Sequence, residues 1–372
     1  MAVSDTYVAH GIGDGKGAPS PTVSILVPCF NVERYLKACL DSIAGQTLTC
    51  FEVICINDGS TDATLDIIRS YAEHDSRFVV VDKPNSGYGA SMNRGLDIAR
   101  GEFIAILESD DFMEPQALAT LVDAARKHHA QATKANFYFY WGTPEPHNQK
   151  NELIHASDPD VVDPKTFPKL FWYMPSIWSA VYRRDYLEER GIRFLETPGA
   201  SYQDLAFTFK VWAGAERVAL VKDAFVHYRQ DNEASSIHAA GKVFCVCDEF
   251  AEIERWIDAH PEQRGLKPVE VRLKFDSYIW NYKRLDPALR RQFLPRLHEE
   301  FKREEASGTI AYDLYLPWYE VDLRHILKNP DDFAVWFERT GGKQGRIANV
   351  LRFWRMGGIP LVRKWLAWRK TI

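Results

Sequence analysis

Between Val23 and Leu107 short apolar runs alternate with helically spaced segments, and that alternation leaves few folds open. Val23–Val27 is a β-rich run, and Val32–Ala44 follows with Val32, Leu36, Leu40 and Ile43 on one helical face. Glu52–Ile56, Phe78–Val81 and Phe103–Leu107 repeat the strand signal, with helices expected over Asp62–Tyr71 and Gly89–Ala99. Runs of about five apolar residues between periodic helices predict parallel strands covered on both faces. The expected class is therefore α/β, a doubly wound, mixed but mostly parallel sheet.

Past Pro115 the pattern predicts a helix to about Lys127 and a strand over Ala135–Trp141. The Pro-rich, polar stretch Gly142–Pro168 reads as a long surface loop. Trp178–Tyr182 reads as a strand, Tyr202–Trp212 as a helix, and Val218–Val221 and Phe225–Tyr228 as two further strands. From about Gly241 the period is helical, which places a boundary near 238–242. The expected organisation is a flexible lead-in over 1–21, an α/β domain over 22–240, and a helical region over 241–372. No internal repeat is visible.

Composition removes several function classes. The chain has 372 residues and a net charge of −5, so bulk electrostatics do not suit nucleic acid. Six cysteines show neither zinc-ligand spacing nor a disulfide framework and are expected as mostly buried thiols. No apolar run reaches the roughly 18 residues of a membrane span, and no signal-type h-region is present, so a cytoplasmic protein is expected. Charge is unevenly spread. Of the net −5, residues 341–372 hold eight Lys or Arg and no acid, leaving −13 for the rest. Within that tail Leu361, Trp365 and Trp368 share a helical face, and Arg363 and Lys370 lie opposite. Such a helix suits either an anionic membrane surface or packing back on the α/β domain.

In doubly wound sheets ligands sit at the carboxyl ends of the strands. The residues there are Pro28-Cys-Phe-Asn31, Asn57-Asp-Gly-Ser60, Asn85-Ser-Gly87 and Glu108-Ser-Asp-Asp111. Three acids among four residues after a buried strand repel one another unless a cation lies among them, and carboxylates at a strand mouth suit Mg²⁺ or Mn²⁺. Asp58 is placed to accept the imide N–H of a uracil ring, on which Phe30 could stack. Asp62 or Thr61 has the simpler task of capping the next helix.

These segments, with Tyr35-Leu36, Leu40-Asp-Ser-Ile43, Asn93-Arg-Gly-Leu96 and Gly101-Glu-Phe-Ile104, resemble family 2 glycosyltransferases over about residues 22–238. The resemblance implies the glycosyltransferase-A fold and inverting transfer of a hexosyl or N-acetylhexosaminyl group from a nucleotide sugar. Pro28, Phe30 and Asn31 match the segment that holds the base, Asp58 the acid that reads uracil, and Asn85 and Gly87 a further donor-binding turn. Asp110 and Asp111 match the acids that contact ribose and metal, in a division left open. Glu108 stands where the family usually has Asp, beside Ser109. Gln203-Asp204 matches the segment whose Asp is the catalytic base, and His227-Tyr-Arg229 with Ser235-Ser236 the segment over the diphosphate. His227 is the first candidate for an extra metal ligand and His238 the second.

The implied donor is a UDP-sugar, the cofactor Mn²⁺ or Mg²⁺, and the acceptor a glycan or lipid-linked glycan of the kind used in polysaccharide biosynthesis. A lipid-linked acceptor would put the enzyme at the inner face of the plasma membrane, with the basic tail as a possible attachment. Competing classes fit less well. A sugar nucleotidyltransferase or a dinucleotide enzyme needs a Gly-rich turn after the first strand, where this chain has Pro28-Cys-Phe-Asn31. A catalytically silent binding module would be expected to lose acids at 58, 110, 111 or 204, and all four are present.

Overall fold

The computed structural model describes residues 20–199, 201–232, 243–342 and 345–368. They form two compact units, Met1–Ala239 and Ala240–Ile372. The lead-in up to residue 19, together with Ser235, Ser236 and His238, lies outside the described residues.

The first unit opens with strand β1 (Val23–Cys29), helix α1 (Glu33–Ala44), β2 (Phe51–Asp58), α2 (Thr64–His74), β3 (Phe78–Lys83), α3 (Tyr88–Ile98) and β4 (Phe103–Ile106). It continues with β5 (Phe112–Met113), α4 (Ala117–His128), β6 (Ala132–Trp141), β7 (His147–Asn151), β8 (Val161–Val162), β9 (Ala180–Arg183), α5 (Arg184–Glu189), α6 (Gln203–Gly214) and β10 (Val218–Arg229). One sheet runs in the order β3-β2-β1-β4-β9-β6-β10-β5, with β7 added on β6 and β8 on β10.

Every residue of β1 and β2 is buried, which explains why these strands read as unbroken apolar runs. Fully burying one Val, Leu or Ile contributes roughly 1.5–3 kcal/mol, so such a strand is bound to the interior. The ladders β1·β2, β2·β3, β1·β4 and β6·β10 are parallel. Strand β9 is antiparallel to both β4 and β6. Two reversals restore the direction, so β6 and β10 end at the same edge as β1, β2 and β4. All the polar strand mouths therefore open together.

Two expectations change in detail. The stretch 142–168 is not one loop, because β7 and β8 lie within it. Strand β7 is polar and exposed, so burial leaves no apolar signature there, and pairing with β6 defines it. The two strands expected over 218–228 are one strand, β10, whose pairing with β6 shifts register between Val221 and Val226. Such an irregularity breaks the side-chain alternation without ending the strand.

The second unit is helical: α7 (Cys245–Ala259), α8 (Lys267–Arg284), α9 (Pro287–Ser307), α10 (Pro317–Lys328), α11 (Pro330–Thr340) and α12 (Arg346–Trp368). Its interior holds an ionic network. The Lys274 ammonium is buried 2.7 Å from Glu254, 3.2 Å from Glu304, 3.6 Å from Glu300 and 4.0 Å from Glu270. Burial alone would lower its pKa, yet the surrounding carboxylates hold it above the usual lysine value. Lys274→Met should therefore leave several acids uncompensated and destabilise this unit by about 3–5 kcal/mol. Thermal unfolding of the full chain followed at the transition of this unit measures the effect, and an unchanged midpoint would show the network to be dispensable.

Candidate active site

At the end of β1, Asn31 takes a left-handed backbone (φ 52°), a conformation that asparagine tolerates better than most residues. Its Oδ1 accepts the Thr61 N–H at 2.8 Å, and its own N–H donates to Ser60 Oγ at 3.0 Å. Asn31 thus ties the mouth of β1 to the turn after β2. Beside it the Phe30 ring is half exposed at 50%. Pro28 is buried within β1 opposite Ile56, so it shapes the floor without facing the opening.

The Asp58 carboxylate, at the end of β2, pins the turn that follows β3. It accepts from Ser86 N–H at 2.8 Å and Gly87 N–H at 3.0 Å and pairs with Lys83, a partner that the sequence did not single out. A carboxylate offers about four lone-pair sites, so three donors leave room for one more. Asn85 stays exposed on this turn. Gly87 adopts φ 92°, and a Cβ there would lie 2.8 Å from the Thr197 carbonyl. A Cβ on Gly89 would collide with the Leu195 carbonyl. These two glycines let segment 195–199 cross the N-terminus of α3.

That crossing leads directly to α6. Buried Gln203 holds the segment by donating to Thr197 Oγ1 (2.9 Å) and to the Gly199 carbonyl (3.2 Å). Tyr202, just before the helix, takes a left-handed φ of 58°, a strained choice for a tyrosine. Asp204 then sits in the first turn of α6. Burial pushes its pKa up to about 6, while the nearby backbone N–H groups and Lys134 pull the other way.

The acidic segment after β4 divides its side chains between two environments. Burial raises Glu108 to about 7; the Tyr88 hydroxyl, donating at 2.7 Å, opposes this, and Asp110 and Asp204 add to it. Ser109 turns inward, buried, with its hydroxyl on the Cys29 thiol, so it is not brought to the opening. Asp110 Oδ2 accepts from Asn232 Nδ2 at 2.8 Å. Asp111 is 0% exposed, and its Oδ1 accepts the Arg229 N–H at 2.8 Å while its Oδ2 has no hydrogen-bond partner. Burial first and the Asp110 charge second hold the Asp111 carboxyl well above the usual range. Tyr228 feels Asp111, Asp110, Glu108 and Asp204 together, so the four acids lie within electrostatic reach of one ring near the ends of β4 and β10.

Arg229 closes one side of this cluster. Its Nε donates to the Asp110 carbonyl at 2.9 Å, and its guanidinium lies over the rings of Tyr35 (4.6 Å) and Tyr140 (4.9 Å). Tyr228 lies within the His227-Tyr-Arg229 segment, whereas sequence motifs missed Lys83, Tyr88 and Asn232. Only their position at strand mouths or helix starts could have suggested them.

His227, the first candidate for an extra metal ligand, is engaged within the protein. Its Nδ1 lies 2.8 Å from Asn148 Oδ1 and its Nε2 2.9 Å from Glu114 Oε1. The ring is stacked between Phe112 at 4.4 Å and Tyr138 at 4.9 Å. With both nitrogens engaged and the ring sandwiched, a metal beside Asp110 and Asp111 would have to displace one of these partners to take His227 as a ligand. His227→Gln should therefore cost about 1–3 kcal/mol of stability while leaving any Mn²⁺-dependent stabilisation by UDP intact. Paired melting curves with UDP, in Mn²⁺ and in EDTA, test this. Loss of the metal increment would restore His227 as a ligand.

Comparison with known proteins fits this geometry. Residues 24–191 match the model of glycosyl transferase family 2. EpsH of Bacillus subtilis strain 168, itself only provisionally a glycosyltransferase, is 32% identical over 220 residues, covering 56% of this chain and 61% of EpsH. The poly(ribitol-phosphate) beta-glucosyltransferase of Bacillus spizizenii is 28% identical over 221 residues, 58% of this chain and 33% of that protein. The chain thus spans about six-tenths or less of these relatives' length. S. aureus TarS 1–349 superposes with a TM-score of 0.67 at 20% identity, covering 87% of this chain and 93% of that one, and has also been solved with UDP-GlcNAc and with UDP. Residues 24–191 thus resemble glycosyl transferase family 2, and the first unit has the glycosyltransferase-A fold.

Proposed function

We propose that this protein is an inverting glycosyltransferase that moves a sugar from a UDP-sugar to a hydroxyl of a glycan or lipid-linked glycan, with Asp204 as general base. The observation that carries the reading is the gathering of Glu108, Asp110, Asp111 and Asp204 within electrostatic reach of Tyr228, with Asp204 held at about 6. A base with a pKa just below neutrality is ionised at working pH yet still takes a proton effectively. The UDP donor is supported by the lone-pair site left on Asp58, by the exposed Phe30 ring, and by the UDP and UDP-GlcNAc complexes of TarS. The proposed setting is the cytoplasmic face of the plasma membrane, in the assembly of a surface polysaccharide.

The donor set at Asp110 and Asp111 fits a hard divalent cation, Mn²⁺ or Mg²⁺. The Asp111 Oδ2 is buried without a hydrogen-bond partner, and a second carboxylate lies beside it. When bound, such an ion would neutralise charge developing on the departing diphosphate. The protein's own residues do the rest. Arg229, fixed by Tyr35 and Tyr140, offers a cation beside the same oxygens. Phe30 and Asp58 hold the base, and Glu108, steadied by Tyr88, faces the ribose. Asp204 accepts the acceptor's proton from the side opposite the leaving group, which inverts the anomeric centre.

UDP should raise the melting temperature more with Mn²⁺ or Mg²⁺ than with EDTA, and more than CDP or GDP does. Equal shifts for all three nucleotides would remove the uracil reading. Asp204→Asn should keep this shift but slow transfer at least about a hundredfold, whereas Asp110→Asn should weaken the metal-dependent shift.

The pH profile provides a separate check. Asp204 must be ionised to act, so kcat/KM should fall about tenfold per unit below pH ~6 and level off above it. A profile that stays flat down to pH ~5, or normal transfer by Asp204→Asn, assigns the base to another group.

A further inference from the structure

The basic C-terminal segment presents a different face from the one its sequence suggests. Leu361 and Trp365 are buried with Phe353 against Val321 of α10, and Trp318, Val350, Met356, Val362 and Trp368 pack around them. The Leu361–Trp365–Trp368 face is therefore turned inward. Part of the charge is also used internally. Arg352 pairs with Asp322 at 2.7 Å and lies over the Trp336 ring, and Lys364 pairs with Glu320 at 2.6 Å.

What remains outside is a second apolar stripe. Leu351 is 56% exposed, Trp354 58%, Ile359 59% and Leu366 39%. Helix α12 bends at Gly357 and at Gly358, whose φ is 63°. On the first half Leu351, Trp354 and Arg355 share the outward side, and on the second Ile359, Arg363 and Leu366 share it, by i+3, i+4 and i+7 spacing. Arg355 and Arg363 are exposed among these apolar residues. Asp332 of α11, the acid that feels Arg355, is itself held by His325 at 2.8 Å. The whole segment 341–372 contains no Asp or Glu.

We propose that this outward stripe of α12 is a docking surface for an anionic lipid bilayer. Apolar side chains including a tryptophan, interleaved with arginines and with no acid on α12 itself, match a surface that is negative outside and apolar just beneath. No described helix is long and apolar enough to cross a membrane, so the contact is interfacial. The inference extends the proposed setting of the enzyme without depending on its donor or its chemistry. UDP binding and vesicle binding can therefore fail separately.

The test is co-sedimentation of the full chain with vesicles of phosphatidylglycerol and phosphatidylcholine, and with phosphatidylcholine alone, at low and high salt. Binding should occur only with the anionic vesicles and weaken as salt rises. Trp354→Ser with Ile359→Ser, and separately Arg355→Glu with Arg363→Glu, should each cut the bound fraction at least about fivefold. Both pairs should leave the melting temperature and its UDP response unchanged, because these side chains support no core. Trp365→Ala should behave oppositely, lowering the melting temperature. Equal binding to neutral vesicles, or full binding by both double variants, overturns the proposal. So does self-association in light scattering that Trp354→Ser with Ile359→Ser abolishes, because the stripe would then be covered by a second copy.

Discussion

A carboxylate with no accessible surface, beside a second carboxylate, is the constraint around which the first unit is arranged. Asp111 is fully buried, and burying an isolated charge is costly unless partners surround it. Much of its surrounding comes from one distant segment. The N–H of Arg229 reaches Asp111, Arg229 Nε reaches the Asp110 carbonyl, and Asn232 reaches the Asp110 side chain. More than a hundred residues separate the donors from the acids. Strand β10 runs parallel to β6 and antiparallel to the two-residue β5, which brings it back beside the acidic turn. The site is therefore complete only when the last strand is in place.

This arrangement trades stability for reactivity. Glu108, Asp111 and Asp204 all have pKa values raised chiefly by burial. A carboxyl whose folded pKa exceeds its unfolded value binds its proton more tightly in the native state. Its contribution is favourable at low pH and is lost as pH rises from about 4 through the folded value. For Glu108 and Asp204 that window ends near 7 and 6. At neutral pH the cluster therefore opposes folding, and any ligand that brings positive charge to it gains binding free energy from relieving the repulsion.

Much of this architecture was legible because its causes are local or periodic. The buried strands β1 to β4 read as apolar runs, and their mouths could be located from strand ends alone. What could not be read depends on contacts distant in sequence. His227 sits on a strand near the acids, and only the approach of Asn148 and Glu114 shows that both its nitrogens are engaged. Ser109 lies between two acids, yet the turn points it at Cys29. Strand β7 is polar throughout and is defined by pairing rather than burial. In the tail, helical spacing identified an apolar face correctly, but two apolar faces exist. Which of them turns toward α10 is a packing outcome that spacing does not contain.

Two acidic clusters stand among the described residues, and the contrast between them bears on which one is built for an exchangeable cation. In the second unit Glu254, Glu270 and Glu304 bring ligand oxygens within 4.8 Å of one another, a spacing that could suit a metal. Lys267 lies 2.8 Å from Glu270 and 3.0 Å from Glu254, and Lys274 adds a second ammonium on the same oxygens. Those amines are covalently tethered counter-charges, so an ion would have to displace them. At the mouth of β4, among the described residues, no lysine or arginine side chain forms an ion pair with Glu108, Asp110 or Asp111. Arg229 comes near, but it engages the backbone of this turn and the carboxylate of Asp231. One cluster is neutralised by its own helices, and the other keeps an unpartnered oxygen at the edge where every parallel strand opens. The first arrangement offsets its charge with its own lysines. The second supports the proposed cation site, because a charge deficit left in a native state is best explained by a ligand that supplies it.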